Sequence, residues 1–140
     1  MPLERLDNLV AIGKLKAEAP AQTELDGLCR SGSERLRDSR RKALSLSSRF
    51  DLVYNAGHAL ALAALRFHGY RSESRYIVFQ VLTDTIGLPA PQWRILDDAH
   101  RNRNRSEYEG DIDLDETFVE AIIRVVQEVE KRVIALTRVP

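Results

Sequence analysis

A single cysteine, Cys29, excludes an intrachain disulfide and any zinc site built from several thiolates. An excess of one charge is also missing. The 21 basic side chains face 21 acidic ones, so no global field draws the chain to nucleic acid, and such binding needs a local patch. Long apolar runs are absent: the most apolar stretch, Ala59 to Leu65, is far too short to cross a bilayer. The opening Met-Pro-Leu-Glu-Arg-Leu-Asp lacks the basic-then-apolar order of a secretory signal. There is no Gly-rich phosphate loop, nucleophile elbow or His-x-x-x-His pair. The expectation is a cytoplasmic protein without a metal or organic cofactor.

What is present is ordinary for a globular domain: 140 residues, 44% hydrophobic and 30% charged. The apolar spacing is helical almost throughout, which predicts an all-α fold, an antiparallel bundle of four to five helices over residues 1–140. Leu3, Leu6, Leu9, Val10, Ile12 and Leu15 predict an N-terminal helix over about 3–19, read as a peripheral extension. A short helix from Thr23 to about Arg30 is followed by a break at Ser31-Gly32-Ser33-Glu34, then a basic helix to about Leu46. Ser48 to Asp51 reads as a capping pair that opens the most apolar helix, which Gly69 ends. Further helices are expected from Ser74 to about Ile86, from Gln92 to Tyr108 before Gly110, and after a cap at Asp113 to Glu116. The last of these has an inner stripe of Phe118, Ile122, Val125, Val129, Val133 and Leu136. No strand pair is predicted.

Charge is segregated along the chain. Seven basic side chains fall between residues 30 and 49, and six acidic ones with no basic residue between 109 and 120. These read as solvated faces with an acidic helix start that suits the macrodipole. The alternatives are a basic face for RNA, or complementary patches that meet in a dimer.

The segment Arg101-Asn102-Arg103-Asn104-Arg105-Ser106-Glu107-Tyr108-Glu109-Gly110 concentrates cationic, hydrogen-bonding chemistry without apolar filler. Guanidinium forks suit phosphate oxygens. On a helix His100, Arg103 and Glu107 share one face, Asn104 and Tyr108 a neighbouring one, and Arg101 and Arg105 another. An exposed helix laced with Asp97, Asp98 and glutamate ion pairs is the bland alternative. His58 belongs to a polar stripe of Asp51, Asn55, His58 and Arg66 on the apolar helix. It is either a satisfied core histidine or part of a cleft beside the arginines. His68 sits at a helix end, where a donor meets free carbonyls. Asp111, Asp113 and Asp115 begin like a calcium loop, but Glu116 and Ile122 occupy its glycine and glutamate positions, so helix capping explains them better.

The order of features resembles the HEPN superfamily of small α-helical domains. The similar parts are Phe50-Asp51-Leu52-Val53-Tyr54-Asn55-Ala56-Gly57-His58-Ala59, the Leu65-Arg66-Phe67-His68-Gly69-Tyr70-Arg71 end, and the late Arg103-Asn104 segment before a long final helix. They span roughly residues 30 to 135. The resemblance implies a helical bundle, commonly a homodimer, and in active members a metal-independent ribonuclease. Those members carry an arginine, a polar residue, then a histidine. Here Arg103 and Asn104 are followed by Tyr108 where the histidine would fall, and counting from Arg101 and Asn102 also lands on Tyr108.

Metal-free RNA cleavage needs a base, an acid and a cation for the charged phosphorane. Arg103 can be the cation. Tyrosine ordinarily titrates about three units above neutrality, a gap of roughly 4 kcal/mol. His100 is the other candidate base, one turn before Arg103. The first reading is therefore a HEPN-like accessory protein of RNA metabolism or a toxin–antitoxin-type system. It would bind RNA or nucleotide phosphate through Arg101, Asn104, Arg105 and His58, with a protein partner such as a nucleotidyltransferase. The second is an active endoribonuclease using Arg103 and Tyr108 or His100. The third is a non-catalytic helical interaction module. Tyr108, if exposed, is also a candidate for covalent modification.

Overall fold

The computed structural model describes residues 2–109 and 114–136, with side chains over 3–105 and 114–136. The described residues are mostly helical, an all-α architecture with one minimal strand pair among them. Among the described residues, seven helical segments run in the order α1 Pro2–Ala11, α2 Gln22–Ser39, α3 Leu46–Phe67, α4 Arg75–Gln80, α5 Leu82–Ile86, α6 Ala90–Glu109 and α7 Glu116–Ile134. Two-residue strands, β1 Lys16–Ala17 and β2 Tyr70–Arg71, pair antiparallel with Lys16 opposite Arg71 and Ala17 opposite Tyr70. That pair departs from the strand-free expectation, because two residues carry no alternation for the sequence to display.

The apolar helix α3 is central. Its buried residues run from Phe50 through Val53, Tyr54, Leu60 and Ala64 to Leu65, and it touches α2, α4, α5, α6 and α7. α2 does not break at Ser31-Gly32-Ser33. It continues through them, and Gly32 is buried where α2 crosses α3. A Cβ on Gly32 would stand 2.6 Å from Leu60 Cγ and 3.3 Å from the Ala56 carbonyl. The glycine therefore serves close helix packing rather than chain reversal. α2 also stops earlier than the basic pattern suggested, at Ser39, and residues 40–45 turn into α3. Ser45, not Ser48, is the N-cap of α3, accepting from the Ser48 N–H at 3.2 Å.

α1 ends at Ala11, short of the predicted helix, because Gly13 takes φ 79° and releases the chain towards β1. Leu6 and Leu15 nevertheless lie in the same core as α3. The expected helix from Ser74 is split at Val81 into α4 and α5, and Gly87 at φ 67° closes α5. Asp115 caps α7, accepting from the Phe118 N–H at 2.7 Å. Gly110 and Asp113, the expected break and cap, lie outside the described residues. The predicted α7 stripe faces inward, with Ile122, Val125, Val129 and Val133 buried and Phe118 and Leu136 packed on the core.

Two buried arginines tie the helices together. Arg66, 1% exposed, sends Nε to Glu24 at 2.8 Å, Nη1 to the Glu18 and Tyr70 carbonyls at 2.8 and 3.2 Å, and Nη2 to the Ala19 carbonyl at 2.9 Å. Burial raises the Glu24 carboxyl, but hydrogen bonds from Arg71 and Arg66 outweigh it and hold the group below its usual range. Arg49 donates from Nε to the Ser39 carbonyl at 2.8 Å, filling an orphan acceptor at the end of α2, and from Nη2 to Glu120 at 2.8 Å on α7. The basic and acidic stretches of the sequence thus meet inside one chain at Arg49.

Two outcomes follow for stability. Gly32→Ala is expected to destabilise by about 1–3 kcal/mol in a denaturant titration, from overpacking against Leu60. At an open helix position the same change would stabilise by about 1 kcal/mol, so a gain would mean the α2–α3 crossing is looser than described. Arg66→Ala is expected to cost about 3–5 kcal/mol by leaving three carbonyls without this donor and Glu24 with Arg71 alone. A loss under 1 kcal/mol would show that water replaces the guanidinium.

Candidate functional site

The inner face of α6 begins apolar and turns polar. Leu96 and Ala99 are buried in the core, and His100 and Arg103, one turn on, carry the same face out to the surface. There they meet side chains from two other helices. α3 contributes Tyr54, Asn55 and His58, and α4 contributes Arg75, Tyr76 and Phe79.

His100 is the hub. Its Nδ1 is 2.9 Å from the Tyr54 hydroxyl, and its Nε2 is 3.3 Å from Asn104 Nδ2. Its ring stacks on Tyr54 at 6.3 Å and 20°, and on Tyr76 at 6.3 Å and 27°, while Phe79 meets it edge-on at 6.4 Å. With the proton on Nδ1, the imidazole donates to Tyr54 and accepts from Asn104. With the proton on Nε2, Tyr54 donates and Asn104 must present its oxygen. Both tautomers of the neutral ring can therefore be held in one position.

Two guanidiniums flank this cluster. Arg103 Cζ lies 4.9 Å and Arg75 Cζ 5.6 Å from the Tyr54 ring centroid, within cation–π range. Arg75 also donates to Asn55 Oδ1 at 3.2 Å, and Asn55 Nδ2 donates to the Asp51 carbonyl at 2.8 Å. The Tyr54 ring is thus an aromatic floor shared by both cations. Tyr76 is 44% exposed, so an aromatic face lies open at the edge of the cluster.

His58 belongs to the same patch, with its ring edge-on to Phe79 at 6.1 Å. Burial, followed by the charges of Arg75, Arg103 and His100, pushes its pKa down to about 4. It is neutral at pH 7, a proton acceptor rather than a cation.

The structure thus brings together His58, His100, Arg103 and Asn104 from the sequence reading, and adds Tyr54, Asn55, Arg75 and Tyr76. Arg101 and Arg105 do not join them. They line a separate groove of about 470 Å³ with Asp98, Asn102, Asp115 and Phe118, and Arg101 pairs with Asp97. This follows from the helical repeat, which turns positions 101 and 105 away from 100 and 103. Arg66 leaves the polar stripe proposed for α3 and is buried at the other end of that helix. His68 donates from Nε2 to the Thr85 carbonyl at 2.8 Å, bracing α5 rather than its own helix end. The Tyr108 side chain lies outside the described residues.

One signal for Arg75 and Tyr76 was available: two large polar side chains directly after the Ser74 cap, on a helix otherwise apolar. What could not be read was that α4 packs its first turn against α3 and α6. A different groove, of about 220 Å³ between α2, α3 and α7, is lined by Leu25, Cys29, Ala63 and Phe67. Burial, then the Asp26 charge, pushes the Cys29 thiol up, which makes it a poor nucleophile.

The His58 shift has a measurable consequence. Its folded pKa lies below the ordinary 6.5, so the unfolded chain takes the proton first. Stability is unaffected by this group above pH 6.5 and falls as pH drops from about 6.5 to about 4. Wild type should lose on the order of 2 kcal/mol relative to His58→Gln across that window, after discounting for partial exposure. Parallel stability curves for the two proteins would show that the ring is better solvated than its surroundings indicate.

Compared with models of protein families, with curated proteins and with solved structures, the chain matches none.

Proposed function

We propose that this chain is a HEPN-like accessory protein of RNA metabolism or a toxin–antitoxin-type system. It binds RNA or nucleotide phosphate at the Tyr54–His100–Arg103 patch without cleaving it. The observation that carries the reading is the pair of guanidiniums, Arg75 and Arg103, converging on one aromatic ring beside His100. Paired arginine forks bind phosphate oxygens, and the exposed Tyr76 face suits a stacked base. Asn104 and the imidazole supply further hydrogen bonds to a phosphate or ribose. The all-α architecture with α3 at its centre agrees with the fold that the resemblance implies, and a homodimer with a partner protein belongs to the same proposal.

A second reading is favoured by one specific feature. His58, neutral at pH 7, and His100 lie on the patch with Arg103, which offers proton acceptors and a cation for metal-independent ribonuclease chemistry. This would use His100, with or without Tyr108, in place of the motif histidine.

The test is incubation of the purified protein with RNA in chelator, read both for binding and for cleavage, beside Arg103→Ala, Tyr76→Ala and His100→Ala. Binding without cleavage is expected. Arg103→Ala should weaken it about tenfold and lower the salt slope by about 0.7. Tyr76→Ala should cost about 1–3 kcal/mol. Cleavage lost in both Arg103→Ala and His100→Ala would replace the binding reading with the nuclease one. Neither binding nor cleavage would leave the helical interaction module.

A further inference from the structure

The short helix α4 separates two concavities. Its Arg75, Tyr76 and Phe79 face the His100 patch, whereas its cap Ser74 and Ile77 line a cleft of about 390 Å³ on the other side. The opposite wall of that cleft is the turn from α1 into β1, with Gly13, Lys14 and Lys16, and its end is Arg71 to Glu73. Leu15 and Ile77 give it an apolar floor.

The chemistry of the walls is specific. Lys14 and Lys16 are exposed and, among the described residues, take part in no ion pair. Arg71 is already matched, its Nε 2.8 Å from Glu18 and its Nη2 on Glu24, so the two lysines set the local charge against Glu73 alone. Two hydroxyls complete the lining. Ser72 Oγ accepts from the Ser74 N–H at 3.0 Å, and Ser74 Oγ accepts from the Ile77 N–H at 3.4 Å. A hydroxyl that is already accepting keeps its own proton to donate. Two ammoniums and two hydroxyl protons therefore line one cleft, a donor set that fits phosphate oxygens.

Ser74 and Arg75 are adjacent, so the cleft and the His100 patch lie on either side of one peptide unit, about 3.8 Å between Cα atoms. We propose that the Lys14–Lys16 cleft is a second phosphate subsite for the same single-stranded RNA, which crosses the first turn of α4 from the Arg75–Arg103 patch. The ligand is then an oligonucleotide rather than a mononucleotide. This rests on the phosphate-binding reading of the patch and extends it.

The experiment compares wild type, a Lys14→Ala/Lys16→Ala double variant, a Lys14→Arg/Lys16→Arg variant and Arg103→Ala. Each is titrated with a labelled decauridylate and with the dinucleotide UpU over a range of salt. The alanine pair should bind the decamer about tenfold more weakly, with a salt slope lower by about 1.4, or two contacts of about 0.7 each. UpU binding should be unchanged, and the arginine pair should bind like wild type. Both lysines are exposed, so a thermal melt should be the same for all lysine variants. If Arg103→Ala weakens the decamer while the alanine pair does not, the cleft proposal is overturned and the patch reading stands. An equal loss on decamer and dinucleotide also overturns it, since that is a general charge effect. Wild type that binds neither ligand overturns both readings.

Discussion

The buried guanidinium of Arg66 is the constraint on which much else rests. A charge removed from water is tolerated only where its donors are met. Meeting them fixes three pieces of chain at once: the Glu18–Ala19 segment, Glu24 at the start of α2, and the Tyr70 carbonyl after α3. With those segments in place, β1 has no choice but to lie beside β2, and the Glu18 N–H reaches the Gly69 carbonyl at 2.9 Å. The Tyr70 hydroxyl then bonds Asp7 and brings α1 into register, its own pKa pushed up to about 12 by that bond and by burial. β2 leads directly into Ser72 and Ser74, and so sets the start of α4. The position of Arg75 and Tyr76 beside His100 is thus inherited from an arginine at the far end of α3.

This dependence explains which parts of the fold were legible in the sequence. Amphipathic stripes reported faithfully on α3 and α7, because burial of one face is encoded residue by residue. Capping chemistry was legible to within a turn: Ser45 and Asp115 are the caps where Ser48 and Asp113 were expected. The strand pair was invisible because its cause is a side chain nearly fifty positions from Ala17 (about 3.8 Å of chain per residue gives no clue to such a meeting). Gly32 was misread for a related reason. A glycine in a serine-rich run looks like a break, and only the approach of Leu60 from another helix reveals that its missing side chain is what matters.

The site was half legible. Helical phase alone separated His100 and Arg103 from Arg101 and Arg105, and that separation holds. Composition alone groups all three arginines together. His58 fits both core and cleft by sequence, and it is in some measure both: shielded enough to hold a proton less readily, close enough to feel the two arginines. The aromatic floor of Tyr54 was missed because a tyrosine on an apolar helix reads as core. It is core, at 2% exposed, and its value lies in placing a buried ring beneath charges contributed by helices distant in sequence.

The approach of α7 to α3 carries a consequence for the chain during its synthesis. Gly57 on α3 would put a Cβ 3.1 Å from Val126 on α7, so these two helices seal the core at close range. α2 and α3 are neighbours in sequence and can pair as soon as both have left the ribosome. The other side of α3 must wait until everything between Phe67 and Glu116 has followed. Throughout that interval Phe50, Tyr54 and Gly57, which later meet Phe118, Phe79 and Val126, sit on a half-formed hairpin with one apolar side uncovered, the kind of surface that chaperones shield and that aggregation exploits.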